Sequence, residues 1–417
     1  MSNVIVKRTK VMDKIELKHV QLNEQPFERL IVIVDDEHNV ILLPLLYSVH
    51  MEQKGTTFHY KQRKVDGKDI IQLVENDIED GSINIILSHV YKFYKYLNEL
   101  SLSVEGINVQ QAYKCDSYFV NDYLNDYLVE NGIKSLSGHK SSLSGYFNFL
   151  SQIGICNSLE LSIDRKSKQR AADLDEKQNV IKYVSRDHRQ LLLLACKSKA
   201  ERLILRMGFE VGLRTSENVG LLLHKKNETG KNVEKKGNKG LQALFDELDA
   251  DKNNKINEFK YWLQGKYTKN GRPRMLHFKR ELLIALKDYA ETDRKDLLGI
   301  MGYKHEHLFV RSDNGCEGLP IATWHGSNVF KSRKVNIPGL DQNLSYHSLR
   351  HTFATELFYE CLLDKDGHEN RAESSALITV ARRLGHKLDK NKGKAPSTTN
   401  IYVELLEDMK AIEGLAA

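Results

Sequence analysis

The chain has 417 residues, 41% of them apolar, and 62 Lys and Arg against 56 Asp and Glu leave a net charge of +6. This length exceeds that of one hydrophobic core and predicts two or three domains, while so small a positive charge permits a nucleic-acid partner without requiring one. The five cysteines are scattered without C-x-x-C spacing and no run approaches the roughly 18 apolar residues of a membrane span, which argues against a disulfide framework, a cysteine zinc site and a membrane protein.

The N-terminal region, residues 1–78, predicts a small accessory unit of unknown role. It contains the β-branched stretch R-L-I-V-I-V-D-D and a second apolar stretch interrupted by Pro44, which together indicate a strand or two. Its first ten residues are mixed and charged rather than forming an apolar signal core, so we expect a cytoplasmic protein.

A helical unit is predicted over residues 79–162. Apolar residues recur at spacings of three and four from Ile83 to Leu100, and two further helical stretches follow at Tyr118–Leu128 and Leu136–Leu150. A basic outer face of such a unit would grip a nucleic-acid duplex, although a solvated charged face explains the same pattern equally well. The candidate contacts are Lys92, Lys95, His139 and Lys140.

Residues 163–180 are poor in apolar residues and highly charged, which predicts a linker. Four of its basic residues are candidates to track phosphates: Arg165, Lys166, Lys168 and Arg170. A second domain, residues 181–417, then begins with a helix for which Ser185 is the predicted N-cap.

An insertion at about residues 225–258 interrupts this second domain. Lys225–Lys239 is rich in Lys, Asn, Gly and Glu and predicts a flexible surface segment. The stretch from Asp249 to Lys260 resembles a calcium-binding EF-hand loop, but Asn254 replaces its glycine and Lys260 its final glutamate, so a solvated acidic turn is favoured over an ion site.

After the insertion, F-K-Y-W-L-Q-G and R-M-L-H-F flank T-K-N-G-R-P, and Asn270-Gly271 signals a hairpin turn. Lys269 would stand at the tip of this hairpin. Lys266 is a rival for the same role.

The segment S-Y-H-S-L-R-H-T-F-A-T predicts a helix with His347, Arg350 and His351 on one face, suited to holding an anion. A metal pair of the two histidines is the competing interpretation. The H-E-x-x-H glutamate is absent and an arginine between the histidines repels a cation, so the anion is favoured.

Arg214, in G-L-R-T-S-E, is predicted to lie on a tight turn at a helix start, where backbone N–H groups favour an anion. The alternative is a structural salt bridge with Glu217. Taken singly, His386 in R-R-L-G-H is typical of a surface histidine, and Tyr402 in T-T-N-I-Y of a half-buried aromatic.

The order of these motifs resembles that of the tyrosine recombinases, the phage integrase type of site-specific recombinase. The resemblance is firm from about Lys182 to the C-terminus and less specific over residues 80–154. It implies a mainly α fold with a small β-sheet (α+β), in which a helical core-binding domain is joined by a linker to a catalytic domain. The implied catalytic residues are Arg214, Lys269, His347, Arg350, His386 and Tyr402.

The resemblance further implies an enzyme that cleaves and rejoins double-stranded DNA through a 3′-phosphotyrosine, without metal, ATP or other cofactor. The expected partners are duplex DNA, further copies of the chain in a homotetramer on paired sites, and accessory DNA-bending proteins. The expected location is the nucleoid, for a protein of bacterial or phage origin. A long loop, Lys387–Ser397, precedes Tyr402 and allows it to act in its own active site or a neighbour's.

Two alternatives stay open: a non-cleaving DNA-binding regulator that retains the fold, and a topoisomerase of type IB that relaxes DNA. The apolar spacing of Leu405, Leu406, Met409 and Ile412 predicts a C-terminal amphipathic helix that packs on its own domain or on an adjacent protomer.

Overall fold

A computed structural model of the chain describes residues 12–22, 24–65, 68–78, 80–101, 108–174, 181–226, 234–235, 237–313, 315–363, 369, 372–386, 399 and 401–414. The chain divides into two compact units, Met1–Gln178 and Asn179–Ala417. Both are dominated by helices, and their strands form only two-stranded antiparallel sheets, so the predicted α+β fold class is confirmed. No helix in the described ranges has the length and apolar character needed to cross a bilayer.

The first unit combines two β-hairpins with a group of helices, and β1 pairs with β2 and β3 with β4. Its elements are β1 (Asp13–Leu22), β2 (Gln25–Val34), α1 (Leu42–Lys54), β3 (Thr56–Val65), β4 (Lys68–Asp77), α2 (Asp80–Ser101), a 3-10 turn (Val109–Lys114), α3 (Ser117–Asp122), a π-turn (Tyr123–Tyr127), α4 (Leu128–Glu130), α5 (Leu136–Gln152) and α6 (Arg165–Asp173).

The N-terminal region shares a hydrophobic core with the helices that follow it, rather than forming a separate accessory unit. Ile31 and Ile33 of β2 and Tyr47 of α1 join the same buried cluster as the apolar stripe of α2. The second apolar stretch is helix α1 and not a strand. Pro44 lies in the first turn of α1, where its missing N–H removes no intrahelical hydrogen bond.

The predicted linker is largely a helix, α6, that belongs to the first unit. Asp164 caps it by accepting a hydrogen bond from the Ser167 N–H at 2.7 Å. Ser167 and Ala171, one turn apart, are buried while the basic residues around them are exposed. Two small inward residues are enough to seat a helix whose composition otherwise resembles a linker, and residues 175–180 lie outside the described part.

The second unit is built around a long central helix, and β5 pairs antiparallel with β6. Its elements are α7 (Arg186–Leu194), α8 (Lys199–Glu210), a 3-10 turn (Thr215–Gly220), α9 (Leu241–Ala250), β5 (Glu258–Leu263), β6 (Arg274–Lys279), α10 (Arg280–Glu291), α11 (Asp293–Met301), α12 (His325–Lys334), α13 (Tyr346–Leu362), α14 (Glu373–Leu384) and α15 (Ile401–Glu413).

Helix α13 is central because it packs on both sides. Leu349 joins the main core with α8, and the close approach of the two helices requires Gly208, where a Cβ would lie 2.8 Å from the Leu349 Cβ. Ala354 and Phe358 join a second cluster with α14 and α15. The C-terminal helix α15 therefore packs on its own domain in this structure, the first of its two predicted arrangements.

The described residues of the insertion include buried ones, whereas the composition predicts a flexible surface segment. Lys225 was expected on a flexible surface but is fully buried, with its Nζ donating to the Asn238 side chain at 2.7 Å and to the Trp262 carbonyl at 2.6 Å. Burial lowers the pKa of Lys225 to about 8. Helix α9 adds Leu244 and Phe245 to the main core, while residues 227–233 and 236 lie outside the described part.

Candidate active site

Helix α13 carries three of the candidate residues near its N-terminus. Ser345 precedes the helix and exchanges hydrogen bonds with Ser348 in a capping box, which fixes where the helix begins. Arg350 points inward and is only 1% exposed. Its guanidinium donates to the carbonyl of Gly212 and, at 2.6 Å, to the carbonyl of Leu384.

Arg214 sits at the start of the 3-10 turn that follows α8. Gly212 precedes it with φ +70°, a conformation that favours glycine, and a Cβ there would lie 2.4 Å from the Phe353 ring. The Arg214 guanidinium donates to Glu217 Oε1 at 2.8 Å, and the Arg214 backbone N–H donates to Oε2 at 2.8 Å. The alternative predicted for Arg214, a salt bridge with Glu217, is therefore present, and it fixes the orientation of the Arg214 side chain.

A third arginine, Arg274 of β6, completes the cluster and was not predicted. Its Nη2 lies 2.7 Å from Glu217 Oε2 and also donates to the Gly212 carbonyl at 3.1 Å. The signal for it was present in R-M-L-H-F. Arg274 alternates with Leu276 and Phe278, so it occupies an inward strand position that is normally apolar.

Glu217 is therefore a fully buried carboxylate shared by three guanidinium groups, since Arg350 Nη1 also approaches its Oε2 at 3.6 Å. Burial favours the protonated acid, but Arg274, Arg350 and Arg214 together hold the pKa of Glu217 below its ordinary value. Burial first, and then repulsion from Arg274 and Arg214, lowers the pKa of Arg350 to about 9. Positive charge is thus concentrated in a buried place, which prepares the cluster for an anion.

Three histidines border the arginines and are held neutral. Burial first, and then the neighbouring positive charges, lowers the pKa of His347 and of His386 to about 4 and that of His351 to about 3. The His347 and His351 rings are 4.7 Å apart, edge to face. In the described ranges no group of three His, Cys, Asp or Glu side chains is arranged to hold a metal ion.

Tyr402 lies at the start of α15, packed against His351. Its ring centroid is 5.8 Å from that of His351, and its side chain is 3% exposed. Burial raises the pKa of Tyr402, and the positive charges of Arg350 and Arg214 oppose that shift. His351 was placed on the same helix face as His347 and Arg350 from the sequence but was not among the implied catalytic residues, and it is the imidazole in contact with Tyr402.

His386 follows α14, which ends at Gly385 with φ +72°. Its Nδ1 lies 3.3 Å from the Thr399 hydroxyl, and its backbone N–H donates to the Ala381 carbonyl at 2.8 Å. The loop predicted to set the reach of Tyr402, Lys387–Ser397, lies outside the described residues.

Lys269 lies in the connection between β5 and β6, so the predicted hairpin is present, with a longer turn than the Asn-Gly signal suggests. Its side chain is exposed, and within the described residues it forms no hydrogen bond or ion pair with the cluster. The rival, Lys266, is also exposed, and its Nζ lies 5.0 Å from the Tyr267 ring centre. The assignment of Lys269 stays a prediction.

The residues predicted to contact DNA in the first unit differ in exposure. Those at the surface are Lys92 and Lys95 on α2 and Arg165, Lys166, Lys168 and Arg170 on α6, with Lys140 half-buried. His139 was wrong as an outward residue: it is 2% exposed and its ring lies 3.9 Å from that of His89. Burial first, and then His89 and Lys92, lowers the pKa of His139 to about 3.

The EF-hand-like stretch forms a turn in which Asp249 and Asp251 bind other groups of the protein. Asp251 accepts hydrogen bonds from the Lys255 and Ile256 N–H groups and forms an ion pair with Arg280. Asp249 forms an ion pair with Lys287 at 2.5 Å. The aspartates therefore tie the turn to α10.

No family model matches the chain. It is 25% identical over 217 residues to Transposase A from transposon Tn554 of Staphylococcus aureus, a match that covers 52% of the chain. The match covers 47% of that transposase, so the chain spans about half the length of the curated relatives it matches.

Among solved structures, the XerH site-specific recombinase in a post-cleavage complex on its difH substrate aligns over 80% of both chains, with 15% identity and a TM-score of 0.50. A lambda integrase dimer on a core site covers 79% of this chain and 90% of its own, with 13% identity and a TM-score of 0.43. The XerH alignment confirms the resemblance read from the motifs at the level of the fold: the chain has the fold of the tyrosine recombinases.

Proposed function

We propose that the chain is a DNA strand-transferase that cleaves and rejoins duplex DNA through a covalent link between Tyr402 and a 3′ phosphate. The observation that carries this proposal is the sharing of one buried carboxylate, Glu217, by Arg214, Arg274 and Arg350, together with the contact of Tyr402 with His351, the residue after Arg350 on α13. The resemblance to recombinases and to a transposase supports a role in DNA recombination and in moving a genetic element.

The charge of the cluster suits a phosphodiester. Three guanidinium groups and one carboxylate leave a surplus of two positive charges in a place that excludes most water. Attack on a phosphodiester produces a pentacoordinate species with added negative charge, and fixed guanidinium groups stabilise it without reorganising. Arg214, whose side chain is 26% exposed, is the guanidinium open to a bound phosphate.

The proton of Tyr402 needs an acceptor, because burial disfavours the phenolate. His347 and His351 are neutral imidazoles, and the negative charge of a bound phosphate raises their lowered pKa values and makes them better proton acceptors. In the proposed step the tyrosine oxygen bonds to phosphorus, its proton passes to an imidazole, and the bond to the 5′ oxygen breaks. Lys269, brought from its hairpin onto the DNA, supplies the proton to that leaving oxygen, and His386 donates to a phosphate oxygen.

Rejoining is the reverse of this step, with the 5′ hydroxyl of a partner strand as the attacking group. The phosphotyrosine conserves the energy of the phosphodiester, so we expect no requirement for ATP or a divalent metal. Strand transfer in excess EDTA and without nucleotide tests that expectation, and a rate that falls with chelation contradicts it.

Exchange between two duplexes requires several active sites, and we propose that four copies assemble on paired DNA sites, with DNA-bending proteins as accessory factors. Helix α15 packs on its own domain in this structure. Its docking on a neighbouring protomer, with Tyr402 acting in its own or the neighbouring site, belongs to the assembled state. Sedimentation of the protein with and without DNA tests the assembly.

The decisive experiment measures covalent adducts on a series of nicked duplexes that together cover the DNA flanking the gene. Cleavage close to a nick releases a short strand with a 5′ hydroxyl. Once that strand dissociates, the reaction cannot reverse and the adduct is trapped. We expect a covalent adduct from the wild type and from Tyr359→Phe, a control on α13, and none from Tyr402→Phe. DNA binding without any adduct favours the regulator. Adducts together with relaxation of plasmids that carry one site favour the topoisomerase.

A further inference from the structure

The three arginines around Glu217 have different surroundings. Arg214 is partly open to solvent, whereas the side chains of Arg274 and Arg350 are 3% and 2% exposed. Arg274 lies on a strand outside every motif that defines the candidate site. It is linked to the candidate residues Arg214 and His386 by contacts with protein groups, and not across solvent.

On one side, Arg274 holds the turn that carries Arg214. Its Nη2 bonds Glu217 Oε2 at 2.7 Å and the Gly212 carbonyl at 3.1 Å, and Glu217 in turn binds the Arg214 guanidinium and backbone N–H. Removing Arg274 would leave Glu217 with two guanidinium partners, and the Gly212 carbonyl would keep the Arg350 guanidinium as a donor.

On the other side, Arg274 holds the end of the helix that carries His386. Its Nη1 donates to the Arg383 carbonyl at 2.5 Å. Its aliphatic stem covers Gly385, where a Cβ would lie 2.7 Å from the Arg274 Cδ. A single planar guanidinium thus ties together the Arg214 turn and the residues just before His386.

We propose that Arg274 is a positioning residue, which sets the Arg214 guanidinium and the His386 imidazole at the spacing of one phosphate without contacting that phosphate itself. This inference rests on the proposed function. Arginine is needed because its fork reaches a carboxylate and two carbonyls at once, whereas a lysine ammonium presents one point charge on a flexible stem. The Arg274 side chain is 3% exposed and that of Arg214 is 26% exposed, which separates the role of Arg274 from that of Arg214.

The test compares Arg274→Met and Arg274→Lys with Arg294→Met. Arg294 is a matched control because it is also buried and bonds two carbonyls, those of His305 and His307, away from Glu217. The adduct rate at saturating nicked duplex and the affinity for intact duplex are measured separately. We expect Arg274→Met to lower the adduct rate at least a hundredfold, Arg274→Lys to recover part of it, and affinity to change less than threefold.

A second readout needs no DNA. The pKa of His386 is lowered to about 4 by burial first and then by Arg350, Arg214 and Arg274. In Arg274→Met the histidine signal assigned to His386 should titrate at a higher pH by NMR, and in Arg294→Met it should not move.

The inference is overturned if Arg274→Met cleaves like the wild type, or if Arg294→Met loses as much rate as Arg274→Met. An unchanged His386 titration in Arg274→Met also overturns it. If the wild type itself forms no adduct on any duplex, the proposed function fails, and the placement of His386 is judged from the titration alone.

Discussion

The two units of the chain bury different kinds of polar group. Among the described residues, the polar side chains buried in the first unit are neutral: Ser48, Thr57, Asn125, His139, Ser142, Asn148 and Ser167. All the buried charged side chains of those residues lie in the second unit: Arg189, Glu217, Lys225, Arg274, Arg294, Arg350 and Lys410.

This difference separates a scaffold from the proposed reactive centre. Neutral buried groups need only a hydrogen-bond partner, as in the Tyr94 and Tyr146 hydroxyl pair at 2.6 Å. Buried charges are costly unless they are paired, and breaking one pair leaves the other charge uncompensated. Three of those buried charges, Glu217, Arg274 and Arg350, lie together where an anion is expected to bind. The comparison therefore predicts that equivalent substitutions have unequal effects in the two units.

The largest effect is expected for Glu217→Gln, which leaves three guanidinium groups facing one another without a carboxylate. We expect a loss of about 3–5 kcal/mol in the free energy of unfolding of the second unit. Both tryptophans, Trp262 and Trp324, lie in that unit, so tryptophan fluorescence during urea unfolding reports on it selectively.

The matched substitution in the first unit is Tyr146→Phe, which removes one neutral hydrogen bond and should cost about 1 kcal/mol. Hydrogen exchange of peptides from each unit measures both variants on one scale. If Glu217→Gln costs no more than Tyr146→Phe, the distinction between the two interiors is wrong.

A smaller effect is expected for Gly385→Ala, with Gly302→Ala as its control. Both glycines follow a helix with nearly the same φ, +72° and +71°, so both substitutions add strain of about 1 kcal/mol. Only at Gly385 does the new methyl group collide, with the Arg274 side chain. We therefore expect an adduct rate about tenfold lower for Gly385→Ala and near wild type for Gly302→Ala, and equal rates would contradict the role of the Arg274 contact.

The buried His139 should make the stability of the first unit depend on pH. Because the pKa of His139 is lowered to about 3 by burial, His89 and Lys92, the unfolded chain binds the proton more readily, and stability falls as pH drops below about 6.5. His139→Gln should reduce the slope of unfolding free energy against pH by about 1.4 kcal/mol per pH unit near pH 5. Hydrogen exchange of first-unit peptides measures the slope, and an unchanged slope would contradict a buried neutral imidazole.

The smallest effect is expected at the surface of α6. If Lys166 and Lys168 contact phosphates, replacing both with alanine should weaken DNA binding about tenfold and reduce the slope of log affinity against log salt by about 2. The adduct rate at saturating DNA should not change. Gln169→Ala is the neighbouring uncharged control, and a wild-type salt slope in the double variant would remove this helix from the DNA contacts.

Sequence reasoning found the second unit better than the first. The site motifs combine residue types that seldom occur together, so Arg214, His347, Arg350, His386 and Tyr402 were named and the structure brings them into one region. Arg274 was missed because an arginine in an alternating strand was treated as a hairpin flank. Its importance comes from Glu217, a partner far away in the sequence.

The wrong predictions came from local composition. Helix α6 was read as a linker because only Ser167 and Ala171 face inward, and Lys225 of the second unit was read as a surface residue because its neighbours in sequence are polar. His139 was placed on the surface because the residue type of a histidine does not indicate whether its side chain is buried. Tertiary contacts determine whether such residues are buried, and local sequence patterns do not reveal those contacts.

The central claim is that the cluster on Glu217 directs Tyr402 onto one phosphate, and the most direct measurement is the site and polarity of the covalent bond. The trapped adduct is digested with nuclease and protease, and the modified peptide is sequenced by mass spectrometry. We predict a nucleotide attached through its 3′ phosphate to Tyr402 of the wild type. Attachment to another residue, or through a 5′ phosphate, would contradict the account.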